Sequence, residues 1–222
     1  MDSLSPAVQQ HMMKVYTTMA GAVGTAGAGS LLFMLTPLGA MSPFIPILGS
    51  FVPLFGFMYM NNRREQFSVQ TRTAAVMSYA GLSGAGMAPL IGAAMAINPM
   101  IVAGSLGITA GLFVAMSALA LASSRRSMLR LGAPLGGGLI MMLLCSLGAM
   151  LLGPGHALYP LLHSVWTYGG IAIFSGFISY DTQNMIAAKE AGDDDHLGAV
   201  LNMFMNVSGI FRHLLAIFIS RD

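Results

Sequence analysis

The chain has very few charged residues. Asp, Glu, Lys and Arg make up 8% of its 222 residues, whereas ordinary soluble domains contain about 25%. Hydrophobic residues reach 55% and the mean hydropathy is +0.73, which is more apolar surface than a soluble globule of this length can bury. The scarcity of charge therefore excludes an ordinary soluble domain, and we expect lipid to cover much of the protein.

Other absences exclude further classes. The net charge is only +2, and no basic stripe alternates with aromatic residues, which excludes a nucleic-acid-binding protein. A single cysteine, Cys145, rules out an intrachain disulfide. The first 14 residues lack the basic start of a secretory signal, and the apolar run after them is too long for a signal-peptide core. We therefore expect a cytoplasmic N-terminal segment, residues 1–14, followed by a single transmembrane domain, residues 15–222.

Long apolar runs recur along the chain, separated by proline, glycine or charged residues. A helix needs about 20 mostly apolar residues to cross a bilayer. The sequence thus predicts an all-α polytopic membrane protein, a seven-helix bundle whose last segment either spans the membrane or is re-entrant. The predicted spans are 15–35, 44–60, 73–97, 101–123, 131–152, 161–179 (continuing toward 186) and 197–219.

Asp181 is an acidic residue at the end of the sixth apolar run. A carboxylate near the centre of a span costs roughly 2.5–3.5 kcal/mol on insertion scales, and such groups are kept mainly where they pair, line water or bind a cation. A rise of about 1.5 Å per residue places Asp181 and Asn206 at similar depths on antiparallel neighbouring helices. Asn202 lies one turn from Asn206 on the same face. These residues predict a polar gate or cation site, and the alternative is that Asp181 anchors its helix at the headgroups.

Basic residues lie on one side of the predicted spans. The connections between spans one and two, three and four, and five and six contain no Lys or Arg, so the positive-inside rule places the N-terminus in the cytoplasm. Arg63, Arg64 and Arg72 are interpreted as orientation signals at the inner ends of the second and third spans. The alternative is that one of them forms a latch with Asp181.

Two further polar groups need an explanation. Arg212 lies deep in the last segment, where it either snorkels to the far interface or pairs with a carboxylate. Asp193, Asp194 and Asp195 form an acidic run that lacks the ligand spacing and central glycine of an EF-hand loop. A solvated loop is the favoured interpretation, with weak calcium attraction as the alternative, and we expect no metal site and no cofactor.

Ser83 lies in a segment that resembles the serine motif of rhomboid intramembrane proteases. A serine nucleophile needs a histidine on a neighbouring span at a similar depth, and His163 is the candidate near a span. We expect Ser83 to pack helices together with its glycine neighbours, and we expect the protein not to be an enzyme.

Several short motifs occur in order along nearly the whole chain. They are Gln9-Gln10-His11 with Lys14-Val15-Tyr16, 82–89 (LSGAGMAP), Ala96-Ile97-Asn98-Pro99, Ser117-Ala118-Leu119, Arg125-Arg126-Ser127, Asp181-Thr182-Gln183 and Phe211-Arg212. Their order and spacing together are specific, and they resemble the transmembrane Bax-inhibitor-motif family, most closely its endoplasmic-reticulum branch.

This resemblance implies a seven-helix protein of the endoplasmic-reticulum membrane that leaks calcium to the cytosol and restrains stress-induced cell death. In bacterial relatives, two aspartates on the last two helices share a proton and gate the pore with pH. Asp181 corresponds to the first, whereas the second position is Asn206, and Asn202 replaces an often acidic position. An amide cannot titrate, so we expect weakened pH control.

The resemblance also implies partners and alternatives. Calcium ions and the lipid bilayer are the expected partners of a channel, which we expect to be a monomer. The alternative is a non-conducting regulator that binds other membrane proteins, such as those of the Bcl-2 family, and an intramembrane serine protease is a remote third. The sequence ends Ser220-Arg221-Asp222, and we expect the protein to do without the lysine-rich tail of animal relatives.

Overall fold

A computed structural model describes residues 4–40, 42, 44–124 and 126–220. Arg125, one of the motif residues, and the final Arg221-Asp222 lie outside the described residues. Within the described ranges the protein contains seven α-helices and no strand, which confirms the all-α prediction. The helices are α1 (Pro6–Leu35), α2 (Phe44–Asn62), α3 (Val69–Ile97), α4 (Pro99–Ala122), α5 (Gly132–Leu152), α6 (Tyr159–Glu190) and α7 (Leu197–Ile219).

Local sequence signals explain where helices begin and end. The Ser68 side chain accepts a hydrogen bond from the Thr71 backbone N–H at 3.1 Å and caps α3. Asn98 ends α3, and its Oδ1 accepts from the Met100 N–H at 2.9 Å, so it also caps α4. Pro99 is the first residue of α4, a position where its missing N–H costs nothing. The predicted Asn-Pro turn therefore joins α3 to α4 directly.

Several helices are longer than the sequence predicted, and the extensions of α1 and α6 matter most for the site. α1 begins at Pro6, so most of the expected N-terminal segment belongs to the first turns of this helix. α6 begins at Tyr159 and continues to Glu190. The predicted continuation of this span toward 186 is thus confirmed, and Asp181 lies inside α6, about 14 Å before the end of the helix at the standard helical rise.

The last helix occupies the centre of the bundle. α7 packs against α1, α3, α4 and α6, while α2 packs against α3 and α5 packs against α6. It is an unbroken helix of 23 residues, about 34 Å long, and all seven helices are long and apolar enough to cross a membrane. An unbroken helix of this length favours a span over a re-entrant segment. The chain start and the α2–α3, α4–α5 and α6–α7 connections then share one end of the bundle, called here the N-terminal end.

Small residues allow α1 and α3 to pack closely. A Cβ atom added at Gly84 would clash with the backbone carbonyl of Ala26, and one added at Gly29 would clash with the carbonyl of Gly81. The Ser30 hydroxyl donates to the Gly84 carbonyl at 2.6 Å across the same contact. Such close backbone approach drives helix association in lipid, where hydrophobic burial alone cannot.

We expect Gly84→Ala to lower the free energy of unfolding by about 1–3 kcal/mol, the usual cost of forcing atoms into a packed contact. Gly27→Ala is the matched control, because no atom lies within 4 Å of a Cβ at that position. The control should be neutral or stabilising by up to about 1 kcal/mol, since alanine favours helix. Apparent Tm in detergent micelles measures both, and equal values for the two variants would contradict the close contact.

Candidate functional site

The structure brings Asp181 and Asn206 together between α6 and α7. The Asn206 side-chain N–H donates to Asp181 Oδ2 at 2.7 Å, and each residue retains only 5% of its accessible surface. Both lie nine residues from the α6–α7 connection, one before Glu190 and the other after Leu197. The matched depths that the sequence suggested therefore correspond to a direct contact.

Asn202 is the second amide beside this carboxylate. It lies one turn before Asn206, and its side chain also interacts with Asp181. Unlike Asn206, Asn202 is exposed. It therefore forms the outer side of the site, toward the N-terminal end, whereas Asn206 forms the buried side.

The partners of Asp181 orient its carboxylate without neutralising it. In the part of the chain that the structure describes, the ion pairs of Arg and Lys go to the acids of the α6–α7 connection and none goes to Asp181. A buried carboxylate without a balancing charge is costly. Two amide partners reduce that cost by hydrogen bonding, but a proton or a cation is needed to remove the charge. The geometry is therefore suited to attracting a cation.

Neighbouring residues of the Asp181 motif hold α6 in place. The Thr182 hydroxyl donates to the Ile178 carbonyl at 2.7 Å within α6. The Gln183 amide donates to the carbonyls of Ala120 at 2.9 Å and Ser124 at 3.2 Å, and it accepts from the Met128 N–H at 2.8 Å. Gln183 thus fastens α6 to the end of α4 and to the segment before α5. This role explains why a polar side chain stands beside the site.

The two residues of the Phe211-Arg212 motif have different environments. Phe211 is buried and belongs to an apolar cluster with Leu215 of α7, Met87 of α3 and Ile101 of α4. Arg212 is exposed, and its electrostatic neighbours on the described chain include Tyr79 and no carboxylate. Of the two explanations offered for Arg212, pairing with an acid is not seen among the described residues.

Arg64 and Arg72 contact the α6–α7 connection and not Asp181. Arg72 is 4% exposed and forms an ion pair with Asp195. Arg64 donates from Nη1 to both carboxylate oxygens of Asp193 at 2.8 and 2.9 Å, and its Nε lies 3.4 Å from Asp195 Oδ2. These four residues, the Arg–Asp cluster, join the α2–α3 connection and the first turn of α3 to the α6–α7 connection. Arg63 lies elsewhere, with its guanidinium 4.8 Å from the centre of the Tyr59 ring.

The acidic run of residues 193–195 is paired with arginine and lysine side chains of the protein itself. Partial burial raises the pKa of Asp193, but the hydrogen bond from Arg64 and one from the Asp195 N–H outweigh it, so the net pKa lies below its usual value. Asp194 pairs with Lys189. No group of three or more His, Cys, Asp or Glu residues suited to a metal occurs in the described ranges. Calcium would have to displace these ion pairs.

Sequence reasoning did not find the Arg–Asp cluster, although a signal was present. Arg72 lies at the start of the third apolar run, and an arginine within a helix that packs against other helices needs a partner. Arg72 and Asp195 lie 123 residues apart in the chain, so spacing along the sequence could not identify Asp195 as that partner.

His196 gives the Arg–Asp cluster a pH dependence. Burial of the imidazole lowers its pKa, and the charges of Lys14 and Arg72 lower it further. Asp195 raises the pKa by less, so the net pKa of His196 in the folded protein lies below its usual value. The unfolded chain, with a histidine pKa of about 6.5, therefore binds more protons than the folded protein as the pH falls through this range. Stability is complete above about pH 6.5 and is lost as the pH falls toward the folded pKa.

We expect the apparent Tm of the parent to fall more between pH 7.5 and 5.5 than that of His196→Gln. The difference should correspond to less than about 1 kcal/mol, because the site is partly exposed and screened. All other side chains are the same in both proteins, so subtracting the two profiles isolates the contribution of His196. Parallel profiles would show that this imidazole does not couple to folding.

Ser83 has no catalytic arrangement in the described structure. It is buried on α3 and interacts with the Tyr79 hydroxyl one turn earlier. The ring of His163 is stacked on Tyr159 at a centroid distance of 5.7 Å, and no hydrogen bond links it to Ser83 among the described residues. The structure does not bring the serine and the proposed base together.

Seven spanning helices arranged about a central last helix define a polytopic membrane protein, with a buried carboxylate at the contact of its last two helices. The family model described as "Inhibitor of apoptosis-promoting Bax1" matches residues 8–222. The chain therefore belongs to this family, which confirms the resemblance found in its motifs.

Curated relatives share this similarity over most of their length. Bax inhibitor 1 of Homo sapiens is 31% identical over 219 residues, which cover 96% of this chain and 87% of the relative. Probable Bax inhibitor 1 of Paralichthys olivaceus is 32% identical over 221 residues, covering 99% and 89%. Bax inhibitor 1 of Arabidopsis thaliana is 29% identical over 219 residues, covering 99% and 84%.

Proposed function

We propose that the protein is a calcium-permeable leak channel of an intracellular membrane and that it suppresses cell death. The observation that carries the conduction proposal is the Asp181 carboxylate, which is buried between two spanning helices. Among the described residues, its side-chain partners are the amides of Asn206 and Asn202. A fixed negative charge at this depth attracts cations into a pathway that lipid would otherwise close. Membership of the family, and the names of the human, fish and plant relatives, support the proposed role in cell death.

The amide at position 206 supports a leak with weak pH control. Two facing carboxylates share a proton and titrate as a coupled pair, whereas an Asp–Asn pair has only one titrating group. The proposed channel therefore lacks a proton-shared lock between α6 and α7. Its flux should change gradually with pH.

Calcium flux into liposomes tests the conduction proposal. The purified parent, reconstituted with a calcium indicator trapped inside, should pass calcium faster than empty liposomes, and Asp181→Asn should reduce the flux about tenfold, which corresponds to about 1.4 kcal/mol in the barrier. Asp194→Asn is the matched control, because it removes the same charge from a side chain that is 81% exposed. A parent that passes no calcium would contradict the proposal.

A non-conducting regulator is the second candidate, favoured by relatives whose names describe inhibition of Bax. Such a protein would bind other membrane proteins, including those of the Bcl-2 family. Survival of cells that express Bax separates the two candidates. If Asp181→Asn protects these cells as well as the parent does, and neither protein conducts in liposomes, the regulator is the better account.

We further propose that the membrane is that of the endoplasmic reticulum and that the N-terminal end of the bundle faces the cytosol. The basic residues Lys14, Arg63, Arg64, Arg72 and Lys189 all lie at that end, as the positive-inside rule requires of a cytosolic face. A glycosylation site inserted in the turn between α5 and α6 should then be modified. The same site between α6 and α7 should remain unmodified.

A further inference from the structure

An exposed stripe runs along the central helix. Most of α7 is buried, yet Asn202, Met205 and Arg212 are exposed. Their spacing of three and seven residues places them along one side of the helix. Because α7 is packed by α1, α3, α4 and α6, this stripe is the side of the helix that these neighbours leave uncovered.

The stripe connects the Asp181 site with a deeper basic residue. Asn202, at its outer end, interacts with Asp181. Arg212 lies ten residues further along α7, about 15 Å deeper at the helical rise. On α3, Tyr79 is an electrostatic neighbour of Arg212 and interacts with Ser83. Its ring packs edge-on against Phe204 of α7, nearer the N-terminal end than Arg212.

Arg212 retains its charge, because guanidinium groups stay protonated in proteins. The ion pairs found in the described ranges involve Arg64, Arg72 and Lys189, all at the N-terminal end. The charge of Arg212 is therefore not balanced by any acid described within the bundle. Away from bulk water such a charge acts over several ångströms on any ion that passes it.

We propose that the Asn202–Met205–Arg212 stripe lines the cation route and that Arg212 is the electrostatic barrier that sets its ion preference. This inference rests on the proposed channel function. Asp181 attracts cations at the N-terminal end, and Arg212 repels them deeper in the bundle. Because Coulomb energy is proportional to the charge of the ion, Arg212 opposes a divalent ion twice as strongly as a monovalent ion. It therefore limits calcium flux more than potassium flux and makes the route a slow leak.

Neutralising Arg212 tests this role through a ratio of fluxes. If Arg212→Gln raises potassium flux about threefold, calcium flux should rise about ninefold, since doubling the change in barrier energy squares the change in rate. Arg212→Lys keeps the charge and should remain near the parent. Arg130→Gln removes an exposed charge at the N-terminal end and serves as the control for net charge. Both ions are measured in the same liposome preparation, with matched protein content.

The outcomes separate this inference from the proposed function. The inference is supported if the fold-increase in calcium flux in Arg212→Gln is the square of the fold-increase in potassium flux, and if Arg212→Lys and Arg130→Gln show no such increase. A conducting parent whose two fluxes are unchanged, or are raised equally, in Arg212→Gln overturns the inference alone and leaves Arg212 as a side chain that snorkels to the far interface. A parent that passes neither ion overturns the channel itself and the inference with it.

Discussion

Asn206→Asp is expected to give the protein a steep acid dependence that the parent lacks. The amide nitrogen of Asn206 lies 2.7 Å from Asp181 Oδ2, so the substitution places two carboxylates in direct contact. Like charges at this distance cannot both ionise cheaply, and the pair should share one proton. Calcium flux should then change about tenfold between pH 6 and 8, as expected when one proton controls an energy difference of about 1.4 kcal/mol.

Asn202→Asp is the matched control for this variant. It adds the same charge one turn earlier, at an exposed position, where water screens the repulsion from Asp181. Its pH dependence should be clearly weaker than that of Asn206→Asp. A parent that already responds as steeply as Asn206→Asp would show that the Asp181–Asn206 contact does not control the flux. Equal responses from the two variants would show that the buried position of residue 206 is not what makes the response steep.

Arg72→Gln is expected to have the largest effect on stability, with a loss of about 3–5 kcal/mol in the free energy of unfolding. Arg72 is 4% exposed and pairs with Asp195, whose side chain is 10% exposed. Removing Arg72 leaves the mostly buried Asp195 with only the longer contact to Arg64 Nε at 3.4 Å, and the loss of a buried partner accounts for the size of the effect. Thermal unfolding in detergent micelles, compared at equal protein concentration, measures it.

Two further variants make this prediction specific. Arg64→Gln breaks a pair whose side chains are 43% and 39% exposed and should cost at most about 1 kcal/mol. The double variant Arg72→Gln with Asp195→Asn should lose less free energy of unfolding than the sum of the losses in the two single variants. When both charges of the pair are removed, no unpaired charge of this pair remains buried. Additive losses would mean that the Arg72–Asp195 pair is not a coupled unit.

The sequence was sufficient to predict the helices because bilayer thickness sets their length. All seven apolar runs became helices long enough to span, and the turn at Asn98-Pro99 lies where proline chemistry predicted it. The extents of α1 and α6 were less predictable. Their outer turns are polar or of mixed composition, so hydropathy gives no signal for helix beyond the apolar core.

The site was only partly predictable for a similar reason. Equal distances from one short connection were enough to suggest that Asp181 meets Asn206, because antiparallel neighbours place such positions side by side. The partners of Gln183, and the Asp195 partner of Arg72, lie 55 or more residues away on other helices or connections. Such contacts depend on how the helices pack, and no spacing rule within one sequence identifies them.

Exchanging the two side chains of the site tests the central claim most directly. Asp181→Asn alone removes the carboxylate, whereas Asp181→Asn combined with Asn206→Asp returns it to the same α6–α7 contact from the opposite helix. Calcium flux in liposomes should fall about tenfold in the single variant and recover to near the parent value in the exchanged protein. If the single variant conducts like the parent, or the exchanged protein stays as inactive as the single variant, a carboxylate at this contact is not what draws calcium through the bundle.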